Sequence, residues 1–253
     1  MQERFIKIFH HFNTLIERIA EPEYKEKWKV SINDGSVAFG SARDNWALSL
    51  PYMQKKGASF KDILRIYEME DIERKDWIWK NAPLYEVILD MVIKHLPSPK
   101  EAQKYRIPRI WRGEPESEFG KGLINCDANT EPAFVITRIV IDPRSGKEIS
   151  AGRLFSGKLE PGMEVYLNHE KKTQRIQQVL VYNGIKPEQV SSVSAGNVLA
   201  IAGVIADVGE TVTLKPQTPF EEIKHIFEPV ITKAIEPVKI IDLPKLVEVL
   251  RKV

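Results

Sequence analysis

Gly152-Arg153-Leu154-Phe155-Ser156-Gly157-Lys158-Leu159-Glu160-Pro161-Gly162-Met163-Glu164-Val165-Tyr166-Leu167 reads as strand, turn, strand. Pro161-Gly162 fits the two central positions of a type II turn, since proline fixes the first φ and glycine accepts the positive φ of the second. Val165 and Leu167 alternate with Glu164 and Tyr166, as a half-buried strand requires. A second glycine-punctuated run, Ser194 to Gly203, has the same character. Working outward, short runs rich in β-branched residues recur from about Pro132: Phe134–Ile141, Ile149–Leu159, Glu164–Leu167, Arg175–Tyr182, Asn197–Val204 and Glu210–Leu214. Turn signals separate them at Pro143-Arg144-Ser145-Gly146, Pro161-Gly162, Asn183-Gly184 and Val208-Gly209. Many short strands with such turns predict a closed antiparallel barrel, which leaves no exposed edge. A barrel this small is filled by its own side chains and holds no ligand.

The flanking segments read differently. Residues 3–20 carry Phe5, Ile8, Phe9, Phe12, Leu15, Ile16 and Ile19 at helical spacing, and Glu21-Pro22 ends the pattern. Val37-Ala38-Phe39, closed by Gly40-Ser41-Ala42, predicts a buried strand ending in a tight loop. Ser59 caps a predicted helix reaching about Glu68, and Pro83 opens another with Leu84, Val87, Ile88, Met91, Val92 and Leu96 inward. Residues 97–115, with Pro97, Pro99, Pro108 and Pro115, read as a linker. Beyond Pro219, Pro229 to Ile235 alternates like a strand, and Asp242 caps a helix with Leu243, Leu246, Val247 and Leu250. One strand and one helix cannot bury a core alone, so this tail reads as the opening of a further, incomplete domain.

Composition narrows the class. The chain has 253 residues, 43% apolar and 28% charged, with a formal net charge of +2. That balance gives no global argument for nucleic-acid binding and leaves only a local basic face. The single cysteine, Cys126, excludes an internal disulfide and suits a reducing compartment. No apolar run approaches the roughly 20 residues that span a bilayer, and Met1-Gln2-Glu3-Arg4-Phe5 lacks a signal-peptide core. These features predict a cytoplasmic protein with no membrane partner. His10 and His11 diverge on a helix, His169-Glu170 lacks the second histidine of a zinc helix, and His95 and His225 are isolated, so no metal site is predicted. Glu68 to Lys75 is a charge run that reads as a solvated face rather than acid/base machinery. No catalytic residue is assigned.

Several stretches together resemble the elongation factor 2 family of archaeal and eukaryotic translational GTPases, over essentially the whole chain and in family order. Asp34 to Ala42 looks like the end of the GTPase domain. Leu96-Pro97-Ser98-Pro99 with Ala102 to Pro108 looks like its exit into the barrel, and Glu228 through Leu250 like the start of the third domain. The resemblance implies an α+β chain: residues 1–110 as the C-terminal part of an α/β GTPase domain with a helical insert and linker, 111–227 as the antiparallel β-barrel second domain, and 228–253 as an incomplete βα third domain. It implies that Trp28, Trp46, Trp77, Trp79 and Trp111 pack the helical layer and linker against a GTPase core, so that residues 1–110 expose an apolar face by themselves.

The family's chemistry is GTP-dependent movement of transfer RNA and messenger RNA on the ribosome, with magnesium. Phosphate binding there needs Gly-x-x-x-x-Gly-Lys-Ser/Thr, but Gly120-Lys121, Gly146-Lys147 and Gly157-Lys158 are not followed by Ser or Thr. Asp-x-x-Gly and Asn-Lys-x-Asp boxes are likewise lacking. Only Gly40-Ser41-Ala42 matches a nucleotide box, as a vestigial guanine contact worth a hydrogen bond or two, on the order of 1 kcal/mol each. The expectation is therefore a chain that holds no GTP or magnesium and does not hydrolyse GTP alone. Its implied partner is the ribosome, through small-subunit ribosomal RNA, with Arg153, Lys158, Lys171, Lys172 and Arg175 as candidate phosphate contacts. Two alternatives stay open: a standalone RNA- or ribosome-binding barrel, and one half of a split factor completed by a GTPase-domain chain.

Overall fold

The computed structural model describes residues 2–141, 146, 148–221 and 231–251. The chain divides into two compact units, Met1–Leu96 and Pro97–Val253. No helix among the described residues is long and apolar enough to cross a membrane.

The first unit runs α1 (Gln2–Ile19), α2 (Pro22–Trp28), β1 (Ala38–Ser41), β2 (Trp46–Ser49), α3 (Leu50–Lys56), α4 (Phe60–Ile66), α5 (Asp71–Asn81) and α6 (Leu84–His95). β1 and β2 form an antiparallel hairpin with Ser41 opposite Trp46. Its core gathers Trp46, Leu48, Tyr52, Ile63, Ile66, Ile78 and Val87 from the hairpin and four helices. Ser49 caps α3 by accepting from the Tyr52 amide, and the Asp62 carboxylate accepts from the Ser59 amide and hydroxyl at the start of α4. The apolar stripe of α1 forms as the periodicity predicts, yet Phe5, Ile8, Phe12, Leu15 and Ile19 stay exposed. Phe5 meets Phe39 of β1 edge-on at 5.3 Å between ring centroids, and the Asn13 amide group donates to the Val30 carbonyl and accepts from its N–H.

The second unit begins with α7 (Pro99–Ile110) and α8 (Glu118–Asn125) and continues with β3 (Ala133–Ile141), β4 (Glu148–Ser156), β5 (Lys158–Leu159), β6 (Glu164–Leu167), β7 (Lys172–Arg175), β8 (Gln178–Asn183), β9 (Lys186–Val190), β10 (Val193–Ser194), β11 (Val198–Ala202) and β12 (Thr211–Thr213). Eight strands make one antiparallel sheet in the order β7-β6-β12-β3-β4-β11-β8-β9, and β5 pairs separately with β10. Phe134, Ile136, Leu154, Leu167, Ile176, Leu199 and Ile201 point to a shared interior and fill it. The Pro161-Gly162 turn is present, with Gly162 at φ 90° and the Met163 amide donating to the Glu160 carbonyl.

Closure departs from the sequence expectation. Among the described residues no ladder joins the edge strands β7 and β9. The chain itself bridges the gap instead: β7 passes into β8 through Ile176 and Gln177 alone. The Ile176 amide still bonds the Met163 carbonyl on the β6 side, while the Gln177 amide already bonds the Ala202 carbonyl on the β11 side. The sheet is therefore barrel-like, with a covalent corner where a hydrogen-bonded seam was expected. The bend on the opposite side sits at Gly152, where a Cβ would come 1.9 Å from the Val135 carbonyl oxygen. A register shift between Ile136 and Arg138 lies beside it, the usual partner of a sharp strand bend.

Residues 97–115 are no bare linker. Their prolines hide α7, because Pro99 occupies its first turn, where no amide is needed, and Ser98 caps it by accepting from the Glu101 amide. Buried Gln103 donates to the Leu123 and Phe155 carbonyls, tying α7 to α8 and β4. Trp111 is likewise buried within this unit, packed edge-on against Phe119 and donating to the Thr218 carbonyl. Because α7 and α8 cover Ala133 and Val135 on one face while Phe134 and Ile136 face the interior on the other, β3 reads as an unbroken apolar run. The turn around Pro143 and the segment Pro229-Val230 lie outside the described residues, and residues 231–239 contain no strand. A 3-10 turn (Ile240–Asp242) and α9 (Leu243–Arg251) are the last described elements.

Gly152→Ala is predicted to destabilise the second unit by more than about 3 kcal/mol, because the added methyl meets backbone rather than a movable side chain. Urea unfolding followed by circular dichroism measures it; a variant within about 0.5 kcal/mol of the parent would show that the β3–β4 bend relaxes freely.

Candidate nucleic-acid interface

The β6–β7 connection, Asn168 to Lys171, is a densely hydrogen-bonded turn of the second unit. Lys171 closes it by donating its amide to the Leu167 carbonyl. The turn is held from below by Glu210, whose side chain is only 2% exposed. One carboxylate oxygen accepts from the His169 and Thr211 amides at 2.9 and 2.8 Å, and the other accepts from the Glu170 amide at 3.2 Å. The His169 ring nitrogen Nδ1 lies 3.2 Å from the same carboxylate. Asn168 adds a second anchor, donating to the Thr211 carbonyl and the Thr213 hydroxyl and accepting from the Gln217 amide. The charge-assisted bonds to Glu210 contribute about 1.5–3 kcal/mol each, and the neutral ones of Asn168 about 1 kcal/mol.

This scaffold presents Lys171 and Lys172 to solvent. Lys171 sits at φ 55°, in the left-handed region that disfavours a side chain with a Cβ by roughly 1–2 kcal/mol. A lysine at a position that suits glycine is a local strain of the kind that collects at functional sites. Lys172 is partly neutralised by Glu170 at 3.0 Å.

The five basic candidates do not form one cluster. Arg175 is at the far end of β7, opposite Glu164, and its Nε donates to the Gly162 carbonyl. Arg153 is on β4, separated from β6 in the sheet order by β3 and β12. Lys158 is exposed on β5, paired with Ser194. The structure thus gives one basic turn and three basic side chains placed elsewhere. Sequence reading missed Glu210 and Asn168. The available signal was a carboxylate opening the otherwise apolar and β-branched run Glu210-Thr211-Val212-Thr213.

In the first unit, Gly40 and Ser41 end β1, and Ala42 opens the turn to β2. Gly40 has a local reason to be glycine: a Cβ there would lie 2.6 Å from the Trp46 carbonyl oxygen. The Ser41 hydroxyl donates to the Asp44 carboxylate at 2.8 Å, and the Tyr67 hydroxyl donates to it at 2.9 Å. The bond from Ser41, then that from Tyr67, holds the Asp44 carboxyl below the usual carboxylate range. The Ser41 side chain therefore serves the hairpin, which leaves only backbone amides of this segment for any base contact. Among the described residues no group of three or more His, Cys, Asp or Glu side chains is placed to hold a metal ion.

Residues 148–213, which include the whole Glu210-anchored turn, match the family described as elongation factor Tu domain 2. Across its full length the chain is 52% identical to elongation factor 2 of Methanocaldococcus jannaschii, covering 35% of that protein. It is 49% identical to elongation factor 2 of Nanoarchaeum equitans over 99% of the chain and 35% of the relative, and 49% identical to that of Thermococcus kodakarensis over 100% and 34%. The chain thus spans about a third of the length of these relatives.

Lys171→Gly is predicted to stabilise the second unit by about 1 kcal/mol, since glycine adopts the observed backbone without strain. Thermal unfolding of the single variant tests this. A fall in stability would mean that the lysine side chain contributes more to the turn than its conformation costs.

Proposed function

The chain belongs to the elongation factor 2 family over the third of that protein's length that it spans, and on this premise we propose that it serves translation as the barrel-bearing part of an elongation factor. Its role in this reading is a docking contact with the ribosome in the cytoplasm, made to phosphates of small-subunit ribosomal RNA. The observation that carries the reading is the lysine held at positive φ on a turn pinned by a buried carboxylate. A turn built this way holds its charges in place before a partner arrives, which lowers the ordering entropy lost on binding. Phosphate contacts from Lys171 and Lys172, supported by Arg175, Arg153 and Lys158, position a protein without reading bases.

Nucleotide chemistry belongs elsewhere in this reading. The chain has no Gly-x-x-x-x-Gly-Lys-Ser/Thr, so it supplies no loop of amides and lysine around a triphosphate. Gly40-Ser41-Ala42 would add at most backbone contacts to a guanine held by other residues. The chain turns over no GTP by itself.

Association with purified small ribosomal subunits, followed by sedimentation across a salt series, tests the docking role. Wild-type chain is predicted to bind with an affinity that falls steeply with salt, and Lys171→Glu with Lys172→Glu to weaken binding at least about tenfold at 0.1 M salt. Binding that ignores both salt and the double substitution contradicts the assignment.

A further inference from the structure

Among the described residues, β1 of the first unit pairs only with β2. The Ala47 amide donates to the Ala82 carbonyl, so Ala47 points away from β1, and its neighbours Trp46 and Leu48 make the ladder to Ser41 and Phe39. Ala38 and Gly40 therefore turn their amides and carbonyls outward, and no hydrogen bond between described residues uses them. Exposed edges are ordinarily guarded by charge or proline. β9, an edge of the large sheet, carries Lys186, Pro187 and Glu188, whereas Ala38-Phe39-Gly40-Ser41 carries neither guard. A helix with an uncovered apolar flank accompanies each face of this edge. Side chains alternate along β1: Phe39 turns to one face and meets Phe5 of α1, while Ala38 turns to the other and packs on the core cluster that holds Val87 and Met91 of α6. α1 keeps Ile8, Phe12, Leu15 and Ile19 exposed along one line, and α6 keeps Tyr85, Leu89, Val92 and Ile93 exposed, with Ile19 at 73% and Ile93 at 79%.

A strand laid along this edge satisfies the Ala38 and Gly40 groups and sends its side chains alternately under α1 and under α6. Covered on both faces, such a strand is apolar throughout, as in a sheet with helices on either side. Charge disfavours a second copy of the chain as its source. Antiparallel pairing of two β1 strands about a two-fold axis normal to the sheet keeps each face continuous with itself, which sets α1 beside its own copy. Arg4, His11 and Arg18 recur at every seventh residue beside the exposed line of α1, so that arrangement brings two cationic rows together. Length points to another source: the relatives that match the whole chain have about two thirds of their own length outside the match.

We propose that the β1 edge, with α1 and α6 over its two faces, is a docking cleft for an apolar edge strand of a β-sheet, carried by the part of an elongation factor 2 that this chain does not span. This rests on the reading that nucleotide chemistry lies outside the chain, and extends it by assigning the surface that receives the polypeptide bearing that chemistry.

The test is co-expression of the full chain with the portion of Methanocaldococcus jannaschii elongation factor 2 that precedes the stretch matching this chain, followed by co-purification and amide hydrogen exchange. A soluble one-to-one complex is expected. In it the Ala38 and Gly40 amides exchange at least about tenfold more slowly than in the chain alone, while the Phe39 amide, already in the ladder to Leu48, is slow in both. Ala38→Pro removes an outward amide at the first position of the strand, where proline is tolerated, and is predicted to weaken the complex about tenfold. Ile8→Glu with Ile93→Glu puts carboxylates at exposed positions of both helices and is predicted to weaken it at least about a hundredfold. Unchanged melting temperatures confirm that the variants fold. A complex that leaves Ala38 and Gly40 exchanging freely, or that ignores both substitutions, overturns strand addition. A stable dimer of the chain alone that Ala38→Pro dissociates overturns the choice of occupant in favour of a second copy. Failure to form the complex, while binding to small ribosomal subunits keeps its salt dependence, overturns the cleft and leaves the ribosomal docking role standing. Loss of ribosomal binding with the complex intact does the reverse.

Discussion

The Glu210 carboxylate organises the second unit. An ionised carboxylate taken out of water is very unfavourable unless donors replace its hydration, and here the replacements are the backbone amides of His169, Glu170 and Thr211. Those amides belong to a turn and a strand far apart in sequence, so the charge is accommodated only when β6, β7 and β12 have assembled. The Glu210 backbone extends the link: its carbonyl accepts from Ile136, and the neighbouring Gly209 amide donates to the Ile136 carbonyl. One residue therefore joins the basic turn to the strand that forms the spine of the sheet. The exposed lysines on that turn inherit their positions from a buried group.

The second constraint is curvature. An antiparallel sheet with a filled interior must bend, and bends concentrate where side chains are absent or registers slip. Gly152 lets β4 approach the Val135 carbonyl more closely than any side chain allows, and the slip between Ile136 and Arg138 follows directly. On the other side, Ile176 and Gln177 carry the chain from one edge of the ladder to the strand beside the other. Ile176 is buried in the interior while Gln177 packs over Gly203, so the corner is fixed by packing as well as by covalent continuity. The strand order also separates the basic residues: β3 and β12 lie between β4, which carries Arg153, and β6, which leads into the Lys171-Lys172 turn.

The strands with clear punctuation were legible from sequence. Pro161-Gly162 and Asn183-Gly184 turn where their φ requirements say they should, with Gly162 and Gly184 at positive φ. Ser59 and Pro83 mark helix starts for equally local reasons. Elements whose cause is tertiary were not legible. β2 is buried along all four residues, so it shows no alternation, and α7 is disguised by prolines that are harmless where they fall. The site divides the same way. The basic residues are visible as letters, but their anchor, Glu210, looks like any strand-end carboxylate until three amides converge on it. In the first unit, the bond from the Ser41 hydroxyl to Asp44 was equally invisible, because it depends on the β1–β2 hairpin.

Amide hydrogen exchange measured by NMR on the wild-type chain is the most direct test of the Glu210 anchor. The His169, Glu170 and Thr211 amides should exchange as slowly as those of the interior strands, because opening any of them leaves a buried carboxylate short of a donor. Exchange of the His169 and Glu170 amides at the rate of an exposed loop, with β12 still protected, would contradict the account and leave the basic turn without its support.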